Sequence, residues 1–141
     1  MPDRSHLRIY LDSNVLFSAS LKDDSDFLDL WGLRGVTLVV SQYAIGEITR
    51  NIRYSDREAR LMNLLSQMEI VSDSDVRLIP PHVKLVAKDQ QILATAIGAS
   101  VDYLITGDKN HFSHLYFKTI SHVFVINPTD FLALHEDRLP P

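Results

Sequence analysis

An α/β fold with a mostly parallel central sheet flanked by helices is the class this sequence predicts, and three observations predict it. Short, continuously apolar runs recur along the chain, which is how strands covered on both faces read. Segments with apolar residues at helical spacing separate those runs, the alternation expected of a parallel sheet with helical crossovers. Two of the runs, Ile9-Tyr10-Leu11 and Tyr103 to Thr106, stop abruptly on a carboxylate: Asp12 in one case, Gly107-Asp108 in the other. In an open sheet of this class, ligands bind in the crevice beyond the carboxyl ends of the strands. Two strands that each hand an Asp to that edge predict an acidic pocket. Taken singly, each Asp reads equally well as a turn or N-cap residue.

The elements follow in order. After the first strand, Ser13 and Asn14 turn the chain out of the sheet, and Ser18 to Asp26 is polar, with Asp23-Asp24-Ser25 a loop or helix start. Phe27, Leu28, Leu30 and Trp31 give a helical stripe that Gly32 and Gly35 bring to an end. Val36 to Val40 is the plainest strand; Ser41 reads as an N-cap, and Ala44, Ile45, Ile48 and Ile52 recur at helical spacing. Ser55-Asp56-Arg57-Glu58 is a capping box ahead of a helix whose stripe is Leu61, Leu64, Leu65 and Met68. Ile70-Val71 is a short strand and Ser72 to Asp75 a polar turn, while Pro80-Pro81 excludes a helix just before it. From about Asp89, the residues Ile92, Leu93, Ala96 and Ile97 predict a further helix, stopped at Gly98. Val123 to Ile126 is the last strand, followed by Asn127 as N-cap, Pro128 at the first helical position, and a helix through Phe131, Leu132 and Leu134. Residues 1–136 read as a single domain and 137–141 as a C-terminal tail, with the chain from Glu136 onward expected to fray.

Composition narrows the function classes. A chain of 141 residues, 45% hydrophobic and 23% charged, is a globular domain long enough to bury a core. A formal charge of −4 argues against nucleic-acid binding driven by net charge, though a local basic patch is compatible with it. The absence of Cys removes disulfides and thiolate zinc sites together and fits a reducing cytoplasm. Met1 to His6 carries no apolar signal core and no run reaches membrane-spanning length, so a cytoplasmic protein with no membrane association is expected.

Four acids can be brought to one place: Asp12 and Asp108 after strands, Glu47 in the helix after the second strand, and Asp89 at the start of a helix. Glu47 falls off the line through Ile45, Ile48 and Ile52, and alone reads as a solvated glutamate. Asp89 shares the core-facing side of its helix with Ile92 and Leu93, and is equally well read as a first-turn acid facing the helix dipole. Their convergence is the argument. Carboxylates packed together without compensation repel one another and take up protons. A divalent cation held by three or four of them resolves this, and oxygen ligation without Cys or clustered His points to Mg²⁺ or Mn²⁺. Such an ion can activate water and neutralise charge developing on a phosphodiester oxygen. Ser13, Asn14 and Thr106 are small polar neighbours able to hydrogen-bond a carboxylate, and equally ordinary turn residues.

With these residues in place, the chain resembles the PIN domain family, which includes VapC-type toxins of bacterial toxin–antitoxin pairs. The matching segments are IYLDSNVLFSA at the start, VVSQYAIGEI in the middle, KDQQILATAIGASVDYLITGDKNHF late, and VINPTDFLAL at the end. The resemblance implies a Rossmann-like three-layer α/β/α sandwich and a Mg²⁺- or Mn²⁺-dependent endoribonuclease. It places the family's catalytic acids on Asp12, Glu47, Asp89 and Asp108 and its supporting polar residues on Thr106, Ser13 and Asn14. Many members carry a further Asp where this chain has Asn110, which keeps a hydrogen-bonding oxygen but supplies no charge. The resemblance also implies homodimers held inactive by a small antitoxin.

An acidic pocket needs flanking cations to hold RNA. Arg50 and Arg53, with Lys88 and Lys109 beside the late acids, are the expected RNA contacts. Arg57 and Arg60 extend the basic segment around Tyr54, and their alternation with Asp56 and Glu58 also fits a solvated helix face. His111 and His114 read as surface loop residues rather than a metal pair. Asn110 motivates an alternative, a catalytically weak PIN-like binding module within a larger complex. A phosphatase or phospho-receiver fits less well, since Asn14 stands where a phosphatase places a second Asp. No Gly-rich phosphate loop follows the first strand either.

Overall fold

The computed structural model describes residues 4–52 and 55–141. Six strands form one sheet: β1 (Leu7–Leu11), β2 (Val36–Ser41), β3 (Glu69–Val71), β4 (Tyr103–Ile105), β5 (Thr119–Ile120) and β6 (Val123–Ile126). The helices between and after them are α1 (Ser13–Ala19), α2 (Gln42–Asn51), α3 (Ser55–Leu65), α4 (Ala87–Gly98), α5 (Lys109–Phe112) and α6 (Pro128–Leu134). Strand order is β3-β2-β1-β4-β6-β5, with every pairing parallel except β5 with β6. The fold is therefore an α/β sheet flanked by helices, of a Rossmann-like kind.

This topology fixes where a ligand can go. The chain lays β2 and then β3 to one side of β1, then returns to place β4 on the other side. Helices leaving β1 and β4 diverge from that reversal, which opens a crevice beyond the carboxyl ends of those two strands. Ile9, Tyr10 and Leu11 of β1 and Tyr103, Leu104 and Ile105 of β4 are each fully buried. Burying a side chain such as Leu or Ile contributes about 1.5–3 kcal/mol. The floor of the crevice is thus part of the fully buried core, and the side chains above it stand on packed strands.

Several elements differ from the sequence reading. The chain does not turn into a loop after Asp12 but enters α1 at once. Asp12 is its N-cap, and Val15, Leu16 and Ala19 are its buried face. The stripe at Phe27 to Trp31 winds as a 3₁₀ helix over Asp26–Gly32. A single 3₁₀ turn, Val76–Leu78, precedes the proline pair, and Ile79 is extended, as a residue before proline must be. The two-residue strand β5 was not anticipated; it reaches β6 through a turn in which Ser121 takes φ 57°.

The tail departs furthest from expectation. Rather than fraying, it returns to the start of the chain, where the Arg138 guanidinium donates to the carbonyls of Arg4, Ser5, Arg34 and Gly35. The amide of Arg34 donates to the Arg138 carbonyl at 2.9 Å. Gly35 makes this approach possible: its φ is +67°, and a Cβ there would lie 2.7 Å from the Ser5 carbonyl oxygen. The capping box placed on Ser55 rests on a side chain outside the described residues; Leu61, Leu64 and Leu65 of α3 are buried as its stripe requires.

Candidate metal centre

Residue pairing between the two central strands brings the first acid to the late segment. Leu11 lies opposite Ile105, and the Asp12 amide donates to the Ile105 carbonyl at 3.0 Å. Thr106 therefore stands beside Asp12, and its hydroxyl donates to Asp12 Oδ2 at 2.9 Å. Asn14 Nδ2 donates to the same oxygen at 3.1 Å, while Asn14 Oδ1 accepts from the Gly107 amide at 2.8 Å. The Ser13 amide donates to Asp12 Oδ1 at 2.7 Å, the N-cap bond that starts α1. Asp12 is 4% exposed, and burial pushes its carboxyl up to about 6. The Thr106 and Ser13 donors pull against this, while the charges of Glu47 and Asp89 add to it.

Glu47 arrives from the neighbouring strand. Ser41 ends β2 and caps α2, its hydroxyl accepting from the Ala44 amide at 3.1 Å and meeting the Tyr10 hydroxyl at 2.7 Å. That start sets the phase of α2 so that half-buried Glu47 accepts from the Ser13 hydroxyl at 3.3 Å. Asp89 sits in the first turn of α4, buried alongside Ile92 and Leu93. Burial raises its pKa; His111 and Lys88 offset part of the rise and Asp108 adds to it. Asp12, Ser13, Glu47 and Asp89, with Lys88 and Asn51 at the rim, line one cleft of about 340 Å³.

Asp108 completes the group. Its amide donates to the Thr106 hydroxyl at 3.2 Å, and as N-cap of α5 it accepts from the His111 amide at 3.2 Å. One turn of that helix carries the His111 ring back over the acids. His111 Nδ1 lies 2.7 Å from Asp89 Oδ2 and 3.1 Å from Asp108 Oδ2. Asp89, Asp108 and His111 each offer a ligand atom within 4.8 Å of the other two, the only such group among the described residues. Asp89 Oδ2 and His111 Nδ1 are both buried without an aligned hydrogen-bond partner despite their closeness. Two carboxylate oxygens and an imidazole nitrogen converging, with the Asp89 oxygen and the nitrogen unpartnered, fit a divalent cation. Tyr116 stands behind them, donating to the Thr106 carbonyl at 2.8 Å.

The acids named from sequence thus divide between two adjoining groups. Asp12, Ser13, Asn14, Glu47 and Asp89 line the cleft, with Thr106 beneath Asp12. The close trio, however, is Asp89, Asp108 and His111, rather than Asp12, Asp89 and Asp108. Asn110 is exposed and faces a wider groove of about 600 Å³ on the far side of His111, of mixed polar and apolar lining that includes Ile79, Pro80, Lys84 and Gln90. No carboxylate lines that groove among the described residues, whereas Asp12, Glu47 and Asp89 line the smaller cleft.

Of the basic residues, Lys88, Lys109 and Arg50 are exposed, Lys88 at the cleft, and Arg53 and Tyr54 lie outside the described residues. Arg57 and Arg60 are more than a solvated helix face, since both are engaged within the fold. They close the carboxyl end of α1, Arg57 donating to the Phe17 carbonyl and stacking 3.6 Å over the Phe17 ring, Arg60 donating to the Ser20 carbonyl at 2.9 Å. The two histidines also part company: His114 bonds the Lys84 carbonyl at 2.9 Å, and His111 joins the acids. The sequence reads His111 as a surface loop residue, although its i+3 spacing from a capping Asp is a usable signal.

Comparison with known proteins agrees with this architecture. A family model described as PIN domain matches residues 8–110. A VapBC2 structure from Rickettsia felis, bound to a DNA fragment from their promoter, is similar with a TM-score of 0.63 and 18% identity, covering 86% of this chain and 98% of that one. PAE2754 from Pyrobaculum aerophilum is similar with a TM-score of 0.61 and 13% identity, covering 95% of this chain and 94% of that one. No curated protein matches the sequence. Among the described residues, no helix is long and apolar enough to cross a membrane.

Proposed function

Because the chain belongs to the PIN domain family, we propose that it is a metal-dependent endoribonuclease, with Mg²⁺ or Mn²⁺ bound among Asp12, Asp89 and Asp108 and with His111 beside them. The observation that carries this reading is that acids from the end of β1, from α2 and from α4 line one cleft, with Asp108 and His111 adjoining it through the shared Asp89. Bound there, a divalent ion neutralises the clustered carboxylates and stabilises the negative charge that develops on the phosphodiester. The remaining work falls to the protein. Thr106, Asn14 and Ser13 lock the Asp12 carboxylate in one orientation, so the cleft is preorganised before substrate arrives. Glu47, whose carboxylate accepts from Ser13 alone among the described residues, is the freer acid across the cleft and receives the proton of the attacking water. Lys88 at the rim, with Arg50, Arg53 and Lys109, meets the phosphates of single-stranded RNA.

In this reading the protein is the toxin of a toxin–antitoxin pair, a cytoplasmic homodimer restrained by a small antitoxin. The family resemblance and the likeness to the VapBC2 structure support it. The test is an RNA cleavage assay over a panel of single-stranded and hairpin substrates with Mn²⁺ or Mg²⁺. Cleavage that vanishes in EDTA and in Asp108→Asn is expected. Cleavage indifferent to both would overturn the assignment, and stoichiometric Mn²⁺ binding with no cleavage would favour the binding-module alternative.

A further inference from the structure

We propose that His111 Nδ1 is itself an inner ligand of the cation, completing a two-carboxylate, one-imidazole ligand set with Asp89 and Asp108 that makes the site selective for a first-row transition ion such as Mn²⁺ over Mg²⁺. This rests on the reading of the cleft as a metal centre and commits it to one class of ion. Carboxylate-only sites suit Mg²⁺, a hard ion that prefers oxygen, whereas imidazole raises affinity for transition ions.

Three observations carry it. The first is spacing. Neighbouring ligands around an octahedral ion with bonds of about 2.1 Å are about 3.0 Å apart, the bond length multiplied by √2. His111 Nδ1 lies 2.7 Å from one carboxylate oxygen and 3.1 Å from the other. The second is the state of the atoms. Asp89 is 3% exposed, and its Oδ2 and the facing His111 nitrogen are buried with no aligned hydrogen-bond partner, the condition of lone pairs aimed at a shared point. The third is how the ring is held. Asp108 caps α5 through the His111 amide, so the carboxylate and the imidazole are set by the same helical turn and present themselves together. An imidazole that served only to offset negative charge would need neither the shared turn nor a buried, unaligned nitrogen. His114, three residues on, shows the contrast, being satisfied by the Lys84 carbonyl.

The experiment is electron spin-echo envelope modulation on the full chain loaded with one equivalent of Mn²⁺, paired with calorimetric titration of Mn²⁺ and Mg²⁺. Modulation from a directly bound imidazole nitrogen is expected in the wild type. Growing the protein with ¹⁵N-histidine shifts it without any mutation, and His111→Ala abolishes it. In His111→Ala and His111→Gln the Kd for Mn²⁺ should rise at least tenfold while that for Mg²⁺ moves less than threefold. Mn²⁺ bound tightly with no nitrogen modulation, or with modulation that survives His111→Ala, would overturn the ligand role and leave the carboxylate metal centre standing. Failure of the wild type to bind either ion at millimolar concentration would overturn both.

Discussion

Replacing Asp12 by Asn should change how stability depends on pH, in a direction opposite to that of an ordinary salt-bridged carboxylate. Burial raises the folded-state pKa of Asp12 from 3.8 to about 6. Between those values the folded protein holds a proton that the unfolded chain has released. The stabilising contribution is therefore complete below pH 3.8 and is lost as pH rises toward 6. At about 1.4 kcal/mol per pH unit, ionised Asp12 costs the metal-free protein about 3 kcal/mol at pH 7.5 but only about 1 kcal/mol at pH 4.5. Asn carries no charge and escapes both. It also turns an amide donor toward Thr106, Asn14 or Ser13 where an acceptor stood, which costs about 1–2 kcal/mol at any pH. Urea unfolding in EDTA should then find Asp12→Asn more stable than wild type by about 1–2 kcal/mol at pH 7.5 and no more stable at pH 4.5. The quantity that matters is the change of about 2 kcal/mol in the difference between the two proteins across that interval, because the constant cost of the amide cancels. A difference that stays flat from pH 4.5 to 7.5 would refute the claim that a desolvated carboxylate sits at the end of β1.

Further outcomes follow from the same contacts. Saturating Mn²⁺, at about a hundred times its Kd, should stabilise the wild type by about 2.7 kcal/mol and Asp89→Asn by much less, read as a shift in melting temperature. Thr106→Val removes the hydroxyl that donates to Asp12 and accepts from the Asp108 amide, and should lower cleavage or metal affinity about 10–100-fold while the circular dichroism spectrum is retained. Lys88→Ala should weaken RNA binding and lower the salt-dependence slope by about 1, measured by fluorescence anisotropy between low and moderate salt. Arg57→Ala should leave that slope unchanged and instead cost about 1 kcal/mol of stability, through the lost cap and ring contact on Phe17.

Much of the fold was legible because its strands are short apolar runs with breakers on either side. β1, β2, β4 and β6 announce themselves, and Asn127-Pro128 marks the start of α6 without ambiguity. What escaped was set by distance or by brevity. β5 has two residues, too few for any periodicity, and exists because β6 is there to pair with it. The tail is fastened by Arg138 to carbonyls more than a hundred residues away, which no local pattern encodes. His111 escaped because its partner Asp89 lies across the cleft on another helix. α1 escaped for a different reason: Asp12 was weighed as a site acid against a turn or N-cap residue, and the N-cap it makes belongs to a helix whose short apolar face the sequence reading did not pick out.

That double role explains how the protein tolerates the acids at all. Asp12 and Asp108 are N-caps, and Asp89 occupies the first turn of α4, so each of the three sits where backbone amides point outward with no helical partner. The Ser13 amide serves Asp12 and the His111 amide serves Asp108, each an ion-assisted hydrogen bond. The 12-residue α4 adds a helix dipole for Asp89, worth about 0.3–1 kcal/mol, whereas α5 has four residues and offers little beyond its bonds. Against this, burial still raises Asp12 to about 6 and lifts Asp89 as well. Capping therefore offsets part of the cost of gathering the carboxylates and leaves a residue of unbalanced negative charge that only a proton or a cation can neutralise. Near neutral pH, above the point at which Asp12 surrenders its proton, the cation is the remaining choice, and stability should depend on it most steeply there.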